Sequence, residues 1–220
     1  MKYPRTPYFD FSDSADKEDV RESGYFDLEN FLNKELVTTI KLDGSNCLWT
    51  RNYIAARNGN HANGESFNYA KQLHAAVRDR IPEDIFIYGE WLWAKHSILY
   101  EKELALDGYF QVFGVYNTRD ETWGSWEDIV NWSNILGVIN VPAVRLIDPI
   151  NNAKTLTDII TSIAKNVIVR GHEGIVVRNI GSFSNKGFNR NVAKFARANH
   201  VQTSRHWSKQ KIVINKIRGA

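Results

Sequence analysis

Apolar and polar positions alternate in several short runs, separated by stretches of helical period. The β-branched run Val37-Thr38-Thr39-Ile40 leads into the polar turn Leu42-Asp43-Gly44, and Cys47-Leu48-Trp49-Thr50 leads out. That pattern predicts a strand, a tight turn and a second strand. Trp49 to Arg57 alternates and closes on Asn58-Gly59-Asn60, a strong turn signal. Further strands are predicted over 85–92, 109–116, 141–147, 174–178 and 191–196, and Pro142 assigns the third of these to a sheet edge. Phe67, Ala70, Leu73, Ala76 and Val77 repeat at helical spacing over 66–80, and Ile81-Pro82 ends that helix. A second helix is predicted over 123–136, with Ser125 as N-cap and Glu127-Asp128 in the first turn, and a third over 155–166. Residues 1–24 read as a loosely packed polar segment with a short helix, and 200–220 as a basic tail.

The sum is an α+β chain, with antiparallel or mixed sheets and helices packed outside. At 220 residues and 43% hydrophobic content it can bury a proper core, and with no linker or repeat it reads as one domain, 1–220. Seven tryptophans fit a well-filled core. The net charge of +3 is compatible with a polyanionic or nucleotide partner and specifies neither. Cys47 stands alone, which excludes an internal disulfide and suits a reducing compartment. The Met1-Lys2-Tyr3-Pro4-Arg5 start carries no apolar leader and no run is long enough to span a bilayer. The expectation is a soluble cytoplasmic protein (host cytoplasm, if viral) without membrane contact.

Charge placed inside buried strands changes the picture, because a buried charge needs a partner or an ion. Lys41 stands at the lip of the Asp43-Gly44 turn, where glycine accepts positive φ and aspartate caps its own backbone. Glu90 sits in Tyr88-Gly89-Glu90-Trp91, Glu173 opens Gly174-Ile175-Val176-Val177, Lys194 and Arg197 flank Phe195-Ala196, and Arg57 ends a strand. Singly, each is an ordinary surface charge, and Lys-x-Asp-Gly is an ordinary hairpin with a solvated lysine. Together they line a cleft suited to a nucleoside triphosphate and a divalent cation, since carboxylates hold Mg²⁺ and Lys or Arg holds phosphate. His96, His172 and His206 lack ligand spacing and read as polar surface residues, and one cysteine cannot make a zinc site.

In order along the chain, these motifs resemble those of the covalent nucleotidyltransferases, the superfamily of polynucleotide ligases and mRNA capping enzymes. The stretch Ala193-Lys194-Phe195-Ala196-Arg197-Ala198-Asn199-His200-Val201-Gln202-Thr203, followed by Trp207, is similar to RNA ligases of the bacteriophage and bacterial kind. The resemblance spans about residues 35–207. It implies an ATP-grasp-like ligase adenylation domain, two mostly antiparallel sheets with flanking helices around a nucleotide cleft. It also implies that Lys41 takes AMP as a phosphoramidate, and that Glu90 holds the ribose or a metal-bound water. Phe113 would stack on the purine, Glu173 would bind the catalytic metal and Lys194 would contact the α-phosphate. Arg57 would touch the ribose or a 3′-hydroxyl end, while Asp43 and Asn46 orient the turn and its waters; Asp43 and Glu90 join Glu173 as candidate metal residues. Backbone groups near Thr39 and Ile40 would read the base edge. The pattern departs at Ala196, where a second lysine is usual and Arg197 follows one step later, and at Gly114, where an acid is usual.

The implied chemistry is ATP-dependent RNA ligation with Mg²⁺ or Mn²⁺. Lys41 becomes lysyl-AMP, AMP passes to an RNA 5′-phosphate, and a 3′-hydroxyl displaces it. An amine attacks only unprotonated and free lysine has a pKa of ~10.4, so neighbouring cations and desolvation would have to depress it. Lys194, Arg57 and Arg197 would also neutralise charge on the departing pyrophosphate. RNA would meet the basic tail and the tryptophans Trp91, Trp93 or Trp207, set against the plainer reading of core rings and a solvated helix face over 209–218. About 20 residues after the last motif are too few for an OB-fold, which argues against capping and against a full-length DNA ligase. A minimal RNA-repair ligase, monomeric by default and with room for a helper protein in end recognition, leads the alternatives. These are a GTP-using capping-type guanylyltransferase and a non-catalytic RNA-binding module on the same fold.

Overall fold

In the computed structural model, residues 1–13, 17–57, 59–197 and 212–219 are described. The strands in chain order are β1 (Tyr8–Phe9), β2 (Tyr25–Phe26), β3 (Leu36–Lys41), β4 (Ser45–Trp49), β5 (Ile54–Ala56), β6 (Ile85–Trp91) and β7 (Phe110–Asn117). They continue as β8 (Thr122–Trp123), β9 (Ile139–Asn140), β10 (Ala143–Ile147), β11 (Gly174–Asn179), β12 (Phe183–Ser184) and β13 (Val192–Ala196). The helices are α1 (Lys17–Ser23), α2 (Asn68–Val77), α3 (Trp126–Leu136) and α4 (Ala153–Val169). The expected α+β class with two largely antiparallel sheets and flanking helices is what forms. Contacts cluster into two units, one holding Pro4–Leu42 and Pro142–His200, the other Met1–Tyr3, Asp43–Val141 and Val201–Ala220.

The first unit is built on a sheet of order β10-β3-β11-β13-β1-β2. Strand alternation gives it one apolar face: Ile175, Val177, Ala193 and Phe195 pack with Leu156, Ile160, Ala164 and Val167 of α4. β10 lies at the edge, as Pro142 requires, and the Pro142 carbonyl accepts the Ile40 amide at 3.0 Å. Part of the N-terminal segment is anchored in this sheet. Tyr8 and Phe9 are buried, and β1 pairs in parallel with both β13 and β2. A two-residue strand pairing with a segment so distant in sequence leaves no periodicity to read.

The second unit carries strands in the order β8-β7-β6-β4-β5, with β9 parallel to β7. Its core is aromatic: Trp49 stacks on Phe110 at 3.9 Å between ring centroids, with Ile87, Trp91 and Val112 around them. Trp91 donates its indole N–H to the Ser66 carbonyl at 2.6 Å, so it is a core ring rather than an exposed one. The alternating run from Trp49 does not continue to Arg57. The Thr50 hydroxyl accepts the Asn52 and Tyr53 amides, the chain reverses, and β5 folds back on β4. Trp123 likewise lies in β8 rather than in a helix, because α3 starts only at Trp126 behind its Ser125 cap. That cap is a full capping box: Ser125 Oγ accepts the Asp128 amide and Asp128 accepts the Ser125 amide. Among the described residues no helix is long and apolar enough to cross a membrane. Residues 212–219 form single bridges to Ala94 and Leu106 rather than a helix face. The readings made on Asn58, on 198–211 and on Ala220, including His206, Trp207 and Lys209, lie outside the described residues.

Candidate active site

Cross-strand register in the first unit settles which charged groups share a face. Gly174 opposes Lys41 on β3 and Ala196 on β13, while Val176 opposes Thr39 and Lys194. Directly paired residues point to the same side, so Lys41, Thr39, Val176 and Lys194 occupy the face turned away from the α4 core. Glu173 precedes β11 by one residue and reaches this end of the sheet. Its carboxylate Oε2 lies 2.6 Å from Lys41 Nζ. The Glu173 side chain is 5% exposed and that of Lys41 22%, so the acid is buried and the amine stands partly open above it.

Glu173 is held there by its own backbone, whose carbonyl accepts the Arg197 amide at 3.0 Å. A Cβ on Gly174 would run into the Phe195 carbonyl of β13, which is why glycine follows the acid. Lys194 is 8% exposed, with Nζ 4.1 Å from the centroid of the Tyr8 ring. That cation–π contact helps keep a nearly buried ammonium in place. Ile40 turns its side chain toward the apolar core and commits its amide to Pro142. Four of the sequence-predicted residues, Lys41, Glu173, Lys194 and Arg197, therefore lie in one unit around the ends of β3, β11 and β13, with Tyr8 as a neighbour that sequence reasoning missed.

The second unit gathers Asp43, Asn46 and Glu90. Asp43 Oδ2 accepts the amides of Ser97 and Ile98, both at 2.7 Å, and the Asp43 amide donates to Tyr100 Oη at 2.8 Å. The aspartate thus caps a loop more than fifty residues away, with Oδ2 acting as a clamp on two amides. Gly44 donates to Glu90 Oε1 at 3.0 Å. Its φ lies outside the positive region; glycine is needed because a Cβ there would come within 2.6 Å of the Trp91 carbonyl. Ser45 Oγ lies 3.3 Å from His96 Nε2, so His96 is part of this turn region and not a detached surface residue.

Asn46, Glu90 and Gln111 are paired across β4, β6 and β7 on the face opposite the aromatic core. Gln111 is the member that the sequence does not announce. It is 2% exposed and its Oε1 is buried with no hydrogen-bond partner among the described residues. Phe113 falls at the register shift between Tyr88 and Gly89, half-buried, with the Tyr3 ring edge-on to it at 4.9 Å. Arg57 is exposed in the turn after β5.

Among the described residues no three His, Cys, Asp or Glu side chains cluster to enclose a metal ion. The buried carboxylate of Glu173 is a single group that could hold a hard divalent cation.

The sequence model of the RNA ligase family matches residues 34–196. Among solved structures, the chain is similar to an archaeal ATP-dependent RNA ligase, at 14% identity and TM-score 0.61, covering 90% of this chain and 49% of that one. A Naegleria gruberi RNA ligase with PPi matches at 18% identity and TM-score 0.54, over 91% of this chain and 59% of that one. A mutant of the same Naegleria gruberi ligase, solved with AMP and Mn, matches at 17% identity and TM-score 0.53, over 80% and 53%. At these identities the likeness establishes the fold. The chain spans about half the length of the solved ligases it matches. A search of curated proteins by sequence finds no match.

Proposed function

Because the chain belongs to the RNA ligase family, we propose that it carries out ATP-dependent nucleotide transfer for RNA end joining, through lysyl-AMP on Lys41. The observation that carries this reading is the Lys41–Glu173 contact: a partly open amine held 2.6 Å from a buried carboxylate at the end of three paired strands. Such a pair fixes Nζ in one direction, and positioning is most of what in-line phosphoryl transfer asks of a protein.

In the first step Nζ attacks the α-phosphorus of ATP. The N–P bond forms, the bond from the α-phosphorus to the bridging oxygen breaks, pyrophosphate leaves with that oxygen, and the attacking amine gives up one proton and keeps one N–H. In the second, an oxygen of an RNA 5′-phosphate attacks the same phosphorus and the N–P bond breaks, with lysine regaining a proton. In the third, a 3′-hydroxyl attacks the activated 5′-phosphate and AMP departs. An amine is nucleophilic only as the free base. Contact with Glu173 favours the ammonium, so Lys41 becomes reactive when the Glu173 charge is met by another cation. Mg²⁺ or Mn²⁺ bound at Glu173 would supply that charge and offset the one growing on the phosphates. The Naegleria gruberi structures that hold ATP or AMP with Mn support a divalent ion.

Lys194 is assigned to the α-phosphate, its ammonium being on the face it shares with Lys41. Glu90, which holds the Gly44 turn, and Asn46 are assigned to the nucleotide; Phe113 is assigned to the purine, Arg57 to the ribose or 3′ end, and Arg197 to phosphate. Asp43 is assigned to positioning.

Incubation with Mg²⁺ and labelled ATP, GTP or NAD⁺ tests the reading. A covalent label from ATP alone, lost in Lys41→Ala and in Lys41→Arg, whose guanidinium stays protonated, is the expected result. A label from GTP alone would indicate a capping-type guanylyltransferase, and no label at all a binding module.

A further inference from the structure

The second unit carries another polar feature that the transfer chemistry leaves unused. A groove of about 600 Å³ opens beside β5 and α2, lined in part by Asn52, Tyr53, His61, Lys71, His74 and Arg78. That is within the ~300–1,000 Å³ common for ligand sites. Lys71, Ala75 and Arg78 follow one another at helical spacing, so one stripe of the helix faces the groove. Both cations are exposed, and neither has a carboxylate partner among the described residues.

Among the described residues, none that lines the groove is acidic. Two acids close by in sequence, Asp79 and Glu83, lie 3.6 Å and 3.7 Å from Arg51, and Glu83 also accepts from Asn52 at 2.9 Å. Two unmatched cations facing one concavity concentrate positive potential there. His74 lines the groove from within, buried, with Nε2 2.6 Å from the Thr50 carbonyl. At the exposed margin the Tyr53 and His61 rings meet edge-on at 5.3 Å and 74°. Aromatic faces beside a cationic groove are the combination that holds single-stranded nucleic acid: bases stack while phosphates track the charge.

We propose that this groove binds a single-stranded RNA segment, its phosphates against Lys71 and Arg78 and a base against the Tyr53–His61 pair. The choice of RNA over another polyanion rests on the ligase reading; the cationic and aromatic character does not. A duplex would hide the base faces the ring pair offers, so the segment is unpaired.

The test is the affinity of the full chain for a short single-stranded RNA, by fluorescence anisotropy across a salt series. Lys71→Gln/Arg78→Gln should make log K against log[salt] shallower by about 1.4, two contacts at ~0.7 each, and weaken low-salt binding roughly tenfold. His61→Ala should weaken binding without moving the slope, because stacking is not a counterion effect. Melting temperatures of the variants control for the fold. Wild-type slope and affinity in the double variant would overturn the proposal, as would a wild-type chain that does not bind RNA. ATP labelling is scored separately. Labelling together with groove-independent RNA binding removes the groove and leaves the ligase reading; groove-dependent binding with no label does the reverse.

Discussion

Asp43 and Gly44 are conspicuous in the sequence for one reason and fixed in the structure for another. As turn formers they would cap and relax their own loop; instead Asp43 ties down Ser97 and Ile98, and Gly44 lets the chain pass against the Trp91 carbonyl. Neither partner is visible in the sequence, since a long-range hydrogen bond leaves no local period. Asp43→Ala should cost about 2–4 kcal/mol, because it removes a charged acceptor and strands two amides. Asp43→Asn, which keeps an acceptor oxygen, should cost less, and urea unfolding of the two variants measures the difference. Equal midpoints for the Ala and wild-type proteins would mean that the clamp is not made in solution. Lys41, Glu173 and Lys194 are more legible. A charge set inside an apolar strand must have a partner, and strand register brings two of them into contact.

At the scale of elements, period and punctuation are good guides wherever packing is local. The Ser125 cap, the β10 edge and the strands β6, β7, β11 and β13 are all predicted by alternation, glycine and proline. What period cannot supply is partnership across the chain, which is why β1 and the C-terminal bridges are missed. Asn215 illustrates the second case. Buried at 1% exposure, it accepts the Tyr100 amide at 3.0 Å and donates to the Leu92 carbonyl at 2.7 Å. Tyr100 in turn holds the Asp43 amide, so this tail residue braces the loop that carries the clamp. Asn215→Ala should destabilise by about 2–3 kcal/mol, since two buried backbone groups lose their partners. Ser125→Ala, the loss of one half-buried helix cap, should cost about 1 kcal/mol. Thermal melts of the pair would rank them, and the reverse order would contradict the brace.

For the whole molecule, acid sensitivity follows from two histidines. Burial pushes His74 below its ordinary value near 6.5, with Arg78 adding to the effect and the bond to Thr50 opposing it. His172 is lowered by burial first and by Arg170 second. Each therefore binds a proton more readily unfolded than folded. Their stabilising effect is complete above about pH 6.5 and is lost as pH falls through the depressed folded values. Melting temperature should decline below that pH, less steeply in His74→Gln; an identical slope would show that His74 does not take part. None of this touches the central claim, which concerns one amine. Digestion of the chain after incubation with ATP and Mg²⁺, with mass spectrometry of the peptides, tests it most directly. The account predicts AMP on the peptide containing Lys41 and no adduct in Lys41→Ala; AMP on another residue, or an undiminished adduct in that variant, would contradict it.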